Sequence, residues 1–192
     1  MEREIVALEK EAADIFILSN LAKGDNEMKQ KFQTFVLSVF LDEVILFANK
    51  RLSILSEDRF ELRRTDDVVD KRRKAGLDLY VFDSYSGKEQ PVKNLSGGET
   101  FYTSMALALG LADVVTARSG GRQLDAIFID EGFGTLDPGT LELSLKTLMD
   151  LEGEHRLVGL ISHVEVLKER FRNSRIEVIK EKSGSMVNVV VG

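Results

Sequence analysis

The sequence predicts an α/β fold: a parallel sheet core flanked by helices, with a long N-terminal helix pair ahead of it and a C-terminal β-hairpin behind it. Three observations carry this. Residues 126–129 and 157–161 are short continuous apolar runs separated by a helical pattern, and strand–helix–strand order makes a parallel pair. The first 55 residues follow helical spacing with one break. Residues 175–180 and 187–191 flank Ser183-Gly184 as a hairpin would.

Taken in order, residues 1–22 form a helix whose Ile5, Leu8, Ala12 and Ile15 make a short heptad seam, open to reading as a coiled-coil stub or as an ordinary surface helix. Gly24-Asp25-Asn26 breaks it. A longer helix runs from about 27 to 55, with Phe32, Phe35, Val36, Val39, Phe40 and Phe47 on one face. Period two then takes over. Phe60 and Leu62 alternate with Arg59, Glu61 and Arg63, and Leu77, Leu79 and Val81 with Asp78, Tyr80 and Phe82, giving two strands joined by a charged link over 64–74. Residues 84–94 read as loop. A helix from Ser96 to about Ala117 is apolar nearly all round and is expected to be buried. The run 126–129 is expected to be a strand buried on both faces. Helices follow at 138–151 and 164–171, on either side of the strand 157–161.

Composition removes several classes. The chain has 192 residues, 43% hydrophobic and 30% charged, which suffices for a core and excludes low-complexity disorder for most of it. Lys and Arg number 26 against 32 Asp and Glu, a net charge of −6, which argues against a wholly basic DNA-coating protein. With no cysteine there is no disulfide, zinc–thiolate site or Cys nucleophile. The polar start Met1-Glu2-Arg3-Glu4 is unlike a signal peptide, and the most apolar stretch, 35–48, is interrupted by Ser38, Asp42 and Glu43. The expectation is a cytoplasmic protein with no membrane partner.

Four motifs could carry chemistry. In Leu95-Ser96-Gly97-Gly98-Glu99, Ser96 and Glu99 fit a capping box. Two glycines in a first helical turn cost about 1 kcal/mol each against alanine. A helix start that lets backbone N–H groups approach a phosphate gains from them. Asp130 and Glu131 directly follow a buried-type strand, where open α/β sheets bind ligands. There Asp130 could hold Mg²⁺ through water and Glu131 could deprotonate an attacking water. Gly134-Thr135-Leu136-Asp137-Pro138 is a turn with Asp137 as N-cap and Pro138 opening the next helix. His163 follows the second apolar strand through Ser162 and reads as either structural or catalytic, whereas His155 lies in a charged turn. A basic cluster, Lys71-Arg72-Arg73-Lys74 with Arg63 and Arg64, is diluted by Asp66, Asp67 and Asp70 and reads better as a solvated link than as a DNA contact.

The order of these motifs resembles the C-terminal lobe of an ABC-type P-loop ATPase head. Leu95–Glu99 resembles its signature, Ala126–Glu131 its Walker B strand, Leu136-Asp137 its D-loop and His163 its switch histidine. The run Phe128-Ile129-Asp130-Glu131-Gly132-Phe133-Gly134-Thr135-Leu136-Asp137 is similar to SbcC-type DNA repair proteins, relatives of the SMC family. Leu41-Asp42-Glu43-Val44 and Asn49-Lys50-Arg51-Leu52 resemble the segment that leads from the coiled coil into the second lobe of such heads. SMC and RecN relatives usually read Asp-Glu-Val-Asp where this sequence has Asp-Glu-Gly-Phe.

The resemblance implies residues 1–22 as a coiled-coil stub and 23–192 as the second lobe of the head. It implies ATP and Mg²⁺ as cofactors, with Asp130 on the metal and Glu131 and His163 catalytic. Ser96, Gly97, Gly98, Glu99 and Asp137 would bind nucleotide. The implied partners are a Walker A lobe of the same parent protein, a second head in a homodimer, an SbcD-type nuclease and DNA. No G-x-x-x-x-G-K-[ST] loop is present, since Gly87-Lys88 is followed by Glu89, so this stretch alone is expected to be inactive. An SMC- or RecF-like DNA clamp lobe and a catalytically silent scaffold are the alternatives.

Overall fold

A computed structural model describes residues 2–27, 29–65, 77–120, 126–152, 157–182 and 184–191, with side chains from Lys10 onward in the first helix and up to Asp150 in the fourth. The chain divides into two units, Met1–Gln123 and Leu124–Gly192. The Lys71–Lys74 cluster, His155 and the seam residues Ile5 and Leu8 lie outside the described residues or side chains.

In the first unit, α1 (Glu2–Lys23) ends at Gly24, whose φ of +101° suits a residue without Cβ. Asn26 then closes the turn: its Nδ2 donates to the carbonyls of Leu21 and Gln30, and its Oδ1 accepts from the Gln30 amide. Helix α2 (Phe32–Leu55) starts five residues later than the spacing predicts. Its buried stripe is Ser38, Ile45, Ala48, Leu52 and Leu55, at heptad-like steps, together with Val44. The aromatic face expected for it is corrected: Phe32, Phe35, Val39 and Phe40 are exposed. Packing on α3 (Gly97–Arg118) selects the other stripe, and the closest approach explains why. A Cβ at Gly110 would sit 2.7 Å from both the Val44 carbonyl oxygen and the Ala48 nitrogen. The two backbones therefore touch, and Ala48 is fully buried. An Arg51–Asp113 ion pair at 2.5 Å ties the helices further along.

Both α2 and α3 are long and apolar enough to cross a membrane by length and composition, with mean hydropathy 1.4 and 1.3 over their most apolar windows. Here they bury one face against each other. The expectation that α3 is buried all round is corrected, because Leu111 and Val115 are exposed.

Strands β1 (Phe60–Thr65), β2 (Asp78–Asp83) and β3 (Lys88–Pro91) form an antiparallel sheet in the order β1-β2-β3. β3 corrects the reading of 84–94 as loop: it is a short polar edge strand, ended by a proline, and gives no apolar alternation to detect. A 3-10 turn at Val92–Asn94 leads on to α3. Phe60, Leu62, Val81 and Asp83 are buried. Asn49 of α2 pairs with Leu62 of β1 through both the amide and the carbonyl, at 2.8 and 2.9 Å, as a neighbouring strand would.

In the second unit, β4 (Ala126–Asp130) pairs in parallel with β5 (Leu157–Ile161), and the crossover between them carries α4 (Pro138–Glu152). α4 buries Leu141, Ser144, Leu145 and Leu148, a three-four stripe. Burial of 126–129 on both faces is corrected: β4 alternates, and Phe128 is 68% exposed. A two-stranded sheet covers only so much, and the Phe128 ring instead lies over its register partner Gly159, filling the space a side chain would need. α5 (Glu165–Arg170) and the antiparallel hairpin β6 (Ser174–Glu181) and β7 (Gly184–Val191) complete the unit as expected.

Candidate functional site

The Walker B-like corner is built where β4 ends. The Glu131 amide donates to the Ile161 carbonyl at 2.8 Å, extending the β4–β5 ladder by one bond. At the same residue the backbone turns left-handed, with φ +61° at Glu131 and +101° at Gly132. A left-handed non-glycine residue costs of order 1–3 kcal/mol and persists where its surroundings fix it. The ladder bond fixes it here. The turn brings the Glu131 carboxylate to His163 Nδ1, at 3.1 Å from Oε1 and 2.9 Å from Oε2. Two residues 32 apart in sequence thus meet because β4 and β5 are in parallel register, and each leaves its strand at the same end. Both remain open to solvent, with side chains 46% and 81% exposed.

Asp130, the last residue of β4, is exposed beside Glu131. Among the described residues no group of three or more His, Cys, Asp or Glu converges as a metal cage. One exposed carboxylate fits Mg²⁺, which keeps several waters and takes one or two protein carboxylates together with substrate phosphates.

Beyond Gly132 the chain makes a 3-10 turn at Phe133–Thr135, held by the Thr135 hydroxyl donating to the Gly132 carbonyl at 2.9 Å. Asp137 then caps α4. Its Oδ1 accepts from the Gly139 and Thr140 amides, both at 3.0 Å, and its Oδ2 accepts from the Thr140 hydroxyl at 2.6 Å. That hydroxyl, followed by the Thr140 amide, holds the Asp137 carboxyl below the usual aspartate range. The capping role read from the sequence is met.

The signature-like start of α3 lies in the first unit. Ser96 Oγ accepts from the Glu99 amide at 3.4 Å, and the Ser96 amide donates to Glu99 Oε2 at 2.9 Å, a complete capping box. Gly97 and Gly98 occupy the first turn, where an α-helix leaves N–H groups without intrahelical partners and carries the positive end of its dipole. Sequence reading missed Arg59, which it placed as a polar residue of an alternating strand. Its guanidinium forks onto Asp83, Nε to Oδ1 at 3.2 Å and Nη2 to Oδ2 at 3.1 Å, and its Nη1 reaches Glu99 Oε1 at 3.2 Å. The hydrogen bond from Arg59 holds the Asp83 carboxyl below its ordinary range. Arg63 and Arg64, read with the basic cluster as a solvated link rather than a DNA contact, are paired with Glu61 and Glu89 and with Asp42.

Residues 66–150 match the family model described as SbcC/RAD50-like, Walker B motif. The chain is 46% identical over 184 residues to the SbcC component of the nuclease SbcCD from Vibrio cholerae, a match that covers 96% of this chain and 18% of that protein. It is 47% identical over 157 residues to the same component from Staphylococcus epidermidis, covering 82% and 15%. The chain thus spans less than a fifth of the length of the curated relatives it matches. In structure it is similar to the SMC head domain of Pyrococcus furiosus, solved with an extended coiled coil and bound to the C-terminal domain of ScpA, at TM-score 0.63 and 16% identity over 99% of this chain and 43% of that one. Across nearly its whole length the chain is a homologue of SbcC, and its fold is similar to that of an SMC head domain.

Proposed function

We propose that this chain forms the C-terminal half of an ATP-hydrolysing head that works with an SbcD-type nuclease in processing DNA ends during double-strand break repair. The observation that carries the reading is the Glu131–His163 pair at the carboxyl end of a parallel strand, next to Asp130. Glu131 takes a proton from water aligned for attack on the terminal phosphate, and His163 holds the carboxylate in place. Such base catalysis is worth about 10²–10⁴ in rate. Asp130 would hold Mg²⁺, which would supply charge to neutralise the phosphates. Ser96, Gly97, Gly98 and Glu99 face the terminal phosphate of ATP held by a second, identical head, and Asp137 lies on the path between the two heads. ATP closes the pair and hydrolysis opens it, a ligand-driven shift of population. The phosphate-cradling Walker A loop comes from another lobe of the same parent protein, joined through the coiled coil whose stub is residues 1–22. The complex acts on DNA in the cytoplasm.

The similarity to the SbcC component of SbcCD, rather than the fold alone, supports the repair reading over an SMC- or RecF-like clamp. In the full-length parent protein, Glu131→Gln is expected to leave ATP binding intact and to lower turnover at least about 10²-fold. Turnover near the wild-type rate would overturn the assignment of Glu131 as base.

A further inference from the structure

We infer that Arg59 is a positioning residue for the signature-like start of α3: it clamps Glu99 to the three-stranded sheet and cancels its charge beside the phosphate-facing turn. The inference rests on the proposed reading of Ser96–Glu99. All three guanidinium nitrogens are used, two on Asp83 and one on Glu99. The plane lies over the Phe60 ring at 4.4 Å and near the Tyr85 ring at 5.3 Å. Asp83 is itself fixed, accepting from the Tyr85 amide at 2.9 Å. A continuous line of bonds therefore runs from β2 through Asp83, Arg59 and Glu99 to the backbone of Ser96.

The presentation of Arg59 is costly. Glu57 and Asp58, directly before it, are both left-handed non-glycine residues, with φ of +51° and +59°. The bend is braced by the Asp58 amide on the Ser53 carbonyl and by Ser56 Oγ, which accepts from the Phe60 amide. Strain of this kind gathers where a side chain must be aimed. The electrostatic need is plain. A carboxylate at the third helical position lies within one turn of the groups meant to meet a phosphate, and two anions at that spacing repel. Arg59 supplies the compensating charge and, through its planar fork, fixes the carboxylate in the orientation that holds the Ser96 amide.

Because the signature acts on the nucleotide of the opposite head, complementation tests the role. Full-length proteins carrying two different tags are co-expressed and mixed-head complexes purified through both. The reference complex pairs a wild-type head with a Glu131→Gln head. With Arg59→Ala on the head that keeps Glu131, the one active site retains an intact signature from its partner, and turnover should equal the reference. With Arg59→Ala and Glu131→Gln on the same head, the active site faces the altered signature, and turnover should fall at least tenfold below the reference. Equal turnover in the two arrangements would overturn the inference, and so would loss in the first, which would make Arg59 a folding residue. A Glu131→Gln homodimer with full turnover, or an inactive reference complex, would overturn the underlying reading of the head.

Discussion

In the proposed head the start of α3 and the end of β4 each meet a phosphate-bearing ligand, and within their own units they are held in opposite ways. At α3, Ser96 and Glu99 cap each other, and Arg59 ties them to Asp83 at the end of a neighbouring strand. At β4, the Glu131 carboxylate rests against His163, and both are open to solvent. The first is braced by its own unit. The second takes its aim from a left-handed residue and one ladder bond in the backbone, together with the single side-chain contact to His163. Residues that must only present a shape can be locked in advance. A base that must meet water and a metal ion stays accessible until its partner surfaces close.

This contrast orders three expectations. The largest concerns His163. If the Glu131 carboxylate depends on that single contact, His163→Ala in the full-length protein should lower turnover by about 10²-fold, the cost of a misplacement near 1 Å, with ATP binding unchanged. A steady-state ATPase assay with a parallel nucleotide-binding assay checks this, and an effect below twofold would show that the backbone alone aims Glu131. The second concerns the frame on which the α3 start sits. Gly110→Ala forces a methyl into contact with the α2 backbone and should destabilise the fold by about 1–3 kcal/mol, seen as a lower denaturant midpoint. An unchanged midpoint would mean that α2 and α3 can part without loss.

The smallest concerns pH. Asp83 titrates below its ordinary value because Arg59 favours its charged form. A depressed carboxylate contributes stability that is complete above the unfolded value of about 4 and is lost as pH falls through the lower folded value. The stability gap between wild type and Arg59→Ala should therefore be present at neutral pH and shrink below about pH 4, as followed by denaturant unfolding. A gap that is independent of pH would place the value of Arg59 in packing against Phe60 and Tyr85 instead.

Much of the site was legible because its signals are local. Ser96 and Glu99 are three apart and cap one helix, and Asp137-Pro138 opens another. The Glu131–His163 meeting was legible only through motif order, since nothing at either residue alone announces the other. Arg59 was hidden for the opposite reason. It looks like the polar half of an alternating strand, and its partners lie 24 and 40 residues away in elements whose packing sequence periodicity does not report. The α2 face was misread because six aromatic and aliphatic residues formed a tidy stripe, yet the close approach permitted by Gly110 draws in Ala48 and its neighbours. Burial of 126–129 was overread because a continuous apolar run reports what a strand is suited to, whereas β4 has β5 as its one paired strand among the described residues.

The most direct test of a head divided between two lobes is ATP hydrolysis by residues 1–192, measured alone and after mixing with the Walker A lobe of the parent protein. Silence alone and turnover on mixing is the expected result. Hydrolysis by residues 1–192 alone, or continued silence once the two lobes are shown to associate, would contradict it.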